Sequence, residues 1–146
     1  MDDTTDYFAN KRNPGEQYRH FDPEDPHEIN TGPFYWRKKD GRVQFAFRCE
    51  RKHCNSGGIV HGGLLMTFAD LMMCGTATEG TTDRGVFTVS FNSEFVASGE
   101  EGELIKARAE VVRRTGKTVF IRGEIYTDDR VIMTCSSVLR RIRAAA

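Results

Sequence analysis

The residues whose types and spacing could do chemistry fall in one stretch. Asn55-Ser56-Gly57-Gly58-Ile59-Val60-His61-Gly62-Gly63 is a glycine-rich turn carrying an amide and an imidazole, and it runs directly into the apolar segment Leu64 to Asp70. A turn that opens a helix leaves backbone N–H groups unpaired at the positive end of the helix dipole, where a developing negative charge is stabilised. Asp70 is the only acidic residue between Arg51 and Glu79. A carboxylate on an apolar helix must find a polar partner or a chemical task, because burying it unpaired is costly. One end of the stretch thus suits an oxyanion, and the other supplies a base or nucleophile.

Helical geometry separates those two ends. At about 100° and 1.5 Å per residue, His61 and Asp70 stand roughly half a turn out of phase and about 13 Å apart along the axis. Within one chain they cannot converge on one small reacting group. Either they do separate jobs, or a two-fold partner brings its own Asp70 to this His61, which an isologous dimer does twice.

The elements that must hold these residues are legible in outline. The helix is expected from about His61 to Thr78, and Leu64, Leu65, Phe68, Ala69, Leu71, Met72, Gly75 and Ala77 leave it apolar nearly all round, as in a buried helix. Before it, Phe34-Tyr35-Trp36-Arg37 and Val43 to Cys49 flank Asp40-Gly41, a hairpin signal, and Arg48 to Gly58 reads as a loop. After it come four strands joined by short turns. Phe87, Phe91 and Phe95 alternate with Thr88, Asn92 and Glu94 in the first, which predicts phenylalanines on the core face and Thr88 off it. The second carries Ile105, Ala107, Ala109 and Val111, the third Val119, Ile121 and Ile125, and the fourth runs from Val131 to about Ile142. The order β-β-α-β-β-β-β with such short loops requires antiparallel neighbours and excludes a Rossmann-type sheet. The expected class is α+β, one sheet curled around one central helix, with edge strands suited to pairing with a second copy.

Composition bounds the rest. The chain has 146 residues, enough for one core. Residues 1–30 are polar and broken by Pro14, Pro23 and Pro26; the first dozen read as a tail, while Tyr18, Phe21 and Ile29 could pack on the domain formed by residues 31–146. Lys+Arg and Asp+Glu are each 21, so no basic field exists to hold nucleic acid or an anionic membrane. Apolar runs are too short to span a bilayer, and the acidic start Met1-Asp2-Asp3 lacks an export signal, so a cytoplasmic protein is expected. Cys49, Cys54, Cys74 and Cys135 form no Cys-x-x-Cys pair, and Cys49, His53, Cys54 and His61 match no zinc spacing, so reduced structural thiols and no metal or cofactor are expected. Gly116-Lys117-Thr118 lacks the first glycine and the helix of a phosphate loop. Arg113, Arg114 and Lys117 read either as a solvated turn or as contacts for a ligand phosphate.

The pattern Asn55-x5-His61-Gly62-Gly63-x6-Asp70, on a helix preceded by two strands and followed by four, resembles the hotdog-fold thioesterases, and among them the PaaI-like acyl-CoA thioesterases of the phenylacetate-pathway type. The resemblance covers about residues 31–142. It implies that Asp70 is general base or nucleophile and that the Gly62 N–H polarises the thioester carbonyl. It further implies that His61 and Asn55 orient that loop and the substrate, with Gly63 beside them, and that Thr88 holds the attacking water where the family has Ser or Thr. Hydrolysis of an acyl- or aryl-CoA to free acid and CoA is implied, in a homodimer or dimer of dimers whose site is shared, Asp and Thr of one subunit facing Asn, His and Gly of the other. Two other readings stay open: a hotdog module that binds acyl-CoA without cleaving it, and a hotdog hydratase or dehydratase.

Overall fold

The computed structural model describes residues 14, 15 and 17–145, so the tail expected for the first dozen residues lies outside the described part. Strands β2 (Tyr35–Lys39) and β3 (Arg42–Arg48) form the expected hairpin. Asp40 and Gly41 both sit at positive φ, 53° and 74°, as a two-residue turn matched to strand twist requires. Four further strands follow the long helix: β4 (Gly85–Phe95), β5 (Leu104–Arg114), β6 (Thr118–Tyr126) and β7 (Val131–Ile142). With β1 (Arg19–His20), they make one seven-stranded sheet in the order β1-β2-β3-β5-β6-β7-β4, every neighbouring pair antiparallel. Among the described residues the two open edges are therefore β1 and β4. Among the described residues no helix is long and apolar enough to cross a membrane.

The long helix α2 (Gly62–Thr78) buries Leu65, Phe68, Ala69, Leu71, Met72, Met73 and Ala77. Phe68 stacks on Phe34 with ring centroids 5.4 Å apart and meets Phe47 edge-on at 4.8 Å, which joins the helix to the first hairpin. The sheet supplies Ile105, Ala107, Val119, Ile121, Ile125, Met133 and Leu139 to the same core.

The segment before the hairpin packs on the domain. Its short helix α1 (Pro26–Thr31) begins as its residues dictate: Asp25 caps it through Oδ1 on the Glu28 N–H at 2.9 Å, and Pro26 occupies a first-turn position where a missing N–H costs nothing. Tyr18 joins Tyr35 and Ala46 in a small second cluster on the other face of the hairpin. Phe21 packs edge-on against Phe45 and lies over Gly75, where an added Cβ would come within 2.8 Å of Phe45 and 3.0 Å of Phe21. Ile29, in contrast, is half exposed. His53, to which the sequence assigned no role, ties α1 to the following loop. It is buried, its Nδ1 accepts from the Glu50 N–H at 2.9 Å, and its Nε2 therefore carries the proton donated to the Thr31 carbonyl at 2.8 Å. Burial holds its pKa below the ordinary imidazole value.

One sequence expectation is overturned in β4. Phe87 was expected on the core face and Thr88 off it, yet Phe87 is 50% exposed and Thr88 turns toward α2. The cause is a bulge: Thr88 pairs with Leu139 and Ser90 with Val138, so Val89 is an extra residue on β4. An extra residue reverses the side-chain phase, which places Val86 and Thr88 on the inner face before it and Phe91 on that face after it.

Candidate active site

At the start of α2 every polar group is set by local geometry. His61 is the N-cap, extended at φ −63° and ψ 131°, and its Nδ1 accepts from the Gly63 N–H at 2.9 Å. A Cβ at position 63 would stand 3.1 Å from that nitrogen and press on the imidazole. The His61 N–H in turn donates to the His53 carbonyl at 2.8 Å. Asn55 closes the preceding turn: its Oδ1 accepts from the Gly57 N–H at 2.9 Å, and its own N–H donates to the Ile59 carbonyl at 2.8 Å. The Gly62 N–H, at the first helical position, has no acceptor among the described residues. It is an unsatisfied donor at a helix N-terminus, the kind of group that receives an oxyanion.

Two turns along the helix, Asp70 meets β4. The Thr88 hydroxyl donates to Asp70 Oδ1 at 2.5 Å. With its proton engaged, Thr88 Oγ1 keeps lone pairs free to accept from a water, while Asp70 Oδ2 remains available to take a proton. Cys74 lies beside them, Sγ 3.8 Å from Thr88 Oγ1. Burial, reinforced by the Asp70 charge, pushes its thiol up to about 11, so it is neutral and no nucleophile near pH 7. Asp70 and Cys74 line a cleft of about 440 Å³, whose other wall is the segment from Phe21 to Glu28.

The structure thus brings Asp70 and Thr88 together, and separately groups Asn55, His61, Gly62 and Gly63. No contact among the described residues links the two groups, and the unbroken helix between them keeps them about 13 Å apart. Arg113, Arg114 and Lys117 sit at the β5–β6 turn, linked to neither group. There the Arg141 guanidinium, paired with Asp83, also donates to the Thr115 carbonyl at 2.7 Å.

One residue of the cleft gave no sign in the sequence. Glu28 is 9% exposed, and its Oε1 is buried without a hydrogen-bond partner among the described residues. Burial first, then the charges of Asp25 and Asp22, the nearness of the Asp25 carboxyl as a hydrogen-bonding group and lastly the charge of Asp70, push its carboxyl up to about 8. The cap signature of α1 was readable from Asp25-Pro26, but nothing in it says that α1 docks beside Asp70.

The profile of the Thioesterase superfamily matches residues 57–134, more than half of the chain. The chain belongs to this superfamily. The matched span takes in the turn after Asn55, the whole of α2 and the strands through Thr134. A protein of Pseudomonas aeruginosa, named as an esterase by inference, is 28% identical over 109 residues, 73% of this chain and 81% of its own. The fold is that of solved relatives. The E. coli PaaI protein from the phenylacetic acid degradation operon superposes with a TM-score of 0.70 at 16% identity, covering 84% of this chain and 88% of that one. A hypothetical thioesterase of Streptococcus pneumoniae, crystallised with coenzyme A, does so with a TM-score of 0.70 at 17% identity, covering 80% and 93%. The hotdog fold, α+β with its sheet curled on one helix, is therefore shared by this superfamily member.

Proposed function

We propose that this thioesterase-superfamily chain is an acyl-CoA thioesterase whose site is completed by a second copy of itself. The observation that carries the reading is Asp70, bonded to Thr88 and lining a cleft, well away from the free Gly62 N–H. Asp70 is the base or nucleophile. As base, its Oδ2 takes a proton from a water held on Thr88 Oγ1, and the water oxygen attacks the thioester carbonyl carbon. The oxygen of that carbonyl becomes an oxyanion on Gly62 N–H of the partner subunit, the C–S bond breaks, and CoA leaves as its thiolate. His61 holds Gly63 and the helix start in place, and Asn55 holds the turn before it, so both act by setting the loop. Arg113, Arg114 and Lys117 are the proposed contacts for CoA phosphates.

Two features support a shared site. The distance along α2 forbids one chain from serving both ends of one thioester. Among the described residues the outer edge of β4 is unpaired and carries Phe87 and Val89, 50% and 62% exposed, beside Thr88, as a strand that pairs with its own copy would. The CoA bound in the Streptococcus pneumoniae structure supports the choice of thioester.

Replacing Asp70 by Asn keeps the shape and removes the base. Hydrolysis of an acyl-CoA panel spanning short, long and aryl acyl groups is expected to fall by ~10²–10⁴-fold, the usual loss when a general base is removed. The thermal midpoint should stay close to that of the unaltered protein. Undiminished turnover in this variant would sink the assignment, and bound but uncleaved acyl-CoA with the unaltered protein would favour a binding module.

A further inference from the structure

The wall of the cleft opposite Asp70 comes from the N-terminal segment and has no part in the chemistry above. Among the described residues, four carboxyl groups line this one space, Asp22, Asp25, Glu28 and Asp70, and no Lys or Arg does. Each element packed there can be named by its charge. The arm brings Asp22, Asp25 and His27, whose Nε2 lies 3.2 Å from Thr67 Oγ1. The helix α2 brings Asp70 and Cys74, a neutral thiol, and β4 brings Gly85 and Val86, which carry none. Glu28 is the most buried of the acids: the residue is 9% exposed, and its Oε1 has no partner among the described residues. An ionised Glu28 would be an unpaired charge out of water, facing three other carboxyl groups.

We propose that Glu28 is a positioning residue of the Asp70 site, present as a neutral carboxyl that the N-terminal segment inserts into the cleft, and that its ionisation in alkaline solution disables the site. The proposal rests on the reading of Asp70 as the catalytic carboxylate. A neutral Glu28 adds an O–H to the donors of His27, Thr67, Cys74 and Thr78 in the cleft, offered to Asp70, to water or to the acyl group. A charged Glu28 places a second negative charge beside the base and the forming oxyanion, which opposes both. Its displacement to about 8, caused by burial and then by Asp25, Asp22 and Asp70, puts the transition just above neutrality.

Glu28→Gln keeps the shape and the neutral donor and cannot ionise; Glu28→Asp keeps a titrating carboxyl as the control. Turnover and the thermal midpoint would be measured for all three proteins from about pH 5 to pH 9. The native state holds a proton that the unfolded chain has released between the ordinary glutamate value and about 8. Stability from this group is therefore complete in acid and lost as pH rises through about 8. The midpoint of the wild type should fall across that range relative to Glu28→Gln. Its turnover should drop about tenfold from neutrality to pH 9, as a single ionisation near 8 dictates, while the same ratio for Glu28→Gln stays near one and Glu28→Asp restores the decline. An active protein whose melting curves run parallel to those of Glu28→Gln, or whose alkaline decline is the same in both, overturns the role of Glu28 alone. Absence of any hydrolysis by the wild type sinks the thioesterase reading, and this role with it.

Discussion

At the scale of single residues the site depends on one hydrogen bond. Asp70 sits on a helix that is otherwise apolar toward the core, and the Thr88 hydroxyl satisfies one of its oxygens at 2.5 Å while leaving the other free. A carboxylate held in this way is fixed in direction and keeps an oxygen free to accept a hydrogen bond. Thr88→Val removes the hydroxyl at nearly constant volume, which leaves Asp70 Oδ1 without its donor and the water without its seat. Leaving a buried polar atom unmatched costs about 1–3 kcal/mol, and a loss of that size in the transition state corresponds to roughly 5–150-fold in rate. We expect kcat to fall within that range in Thr88→Val and to recover most of the way in Thr88→Ser, measured on the same acyl-CoA. Equal rates for the Val and Ser variants would remove Thr88 from the mechanism.

At the scale of elements, α2 is one helix on which both proposed half-sites lie, and the limits of reading it from sequence follow from its surroundings. Its span was legible because apolar residues fill nearly every face, and the strands around it because short polar turns separate alternating runs. The phase of β4 was not, because the extra Val89 reverses the alternation without changing any residue type. The docking of α1 was also hidden: it depends on Phe21 finding Gly75, Tyr18 finding Tyr35 and Ala46, and His53 reaching the Thr31 carbonyl, all contacts between segments far apart in the chain. The first half-site can be tested by its backbone. Proline fits the first helical position, where its fixed φ suits the helix and no intrahelical bond is lost. The residue before it, His61, is already extended as a following proline demands. Gly62→Pro should therefore preserve α2 and the far-ultraviolet circular dichroism while deleting the one N–H proposed for the oxyanion. The expected loss is ~10²–10³-fold in kcat, the usual effect of removing one such donor. A side chain at 62 also approaches the Phe95 ring, 3.2 Å from the Cβ position, but that ring is 55% exposed and can turn aside. Gly62→Ala adds the same Cβ and keeps the donor, so a much smaller loss there separates crowding from the missing N–H.

At the scale of the whole molecule, the proposed site needs two chains to cooperate, and two inactive variants can test it. In a mixture of Asp70→Asn and Gly62→Pro chains, an enzyme with self-contained sites stays inactive in every combination. A shared site behaves differently. In a mixed dimer one site pairs the intact Asp70 of the Gly62→Pro chain with the intact Gly62 of the Asp70→Asn chain, and the other site carries both defects. If equimolar chains reassort at random, half the dimers are mixed and each has one of two sites intact, so roughly a quarter of wild-type activity should return. Co-refolding the two variants, followed by assay against each alone, measures this directly. The unpaired edge of β4, with Phe87 and Val89 exposed beside Thr88, is where the second copy would pair. Adding Val89→Asp to both chains should block strand pairing, shift the protein to monomer in size-exclusion chromatography and abolish the recovered activity together. Full activity of an otherwise unaltered Val89→Asp monomer, or complete absence of recovery in a stable mixed dimer, would place both halves of the site within one chain and overturn the arrangement proposed here.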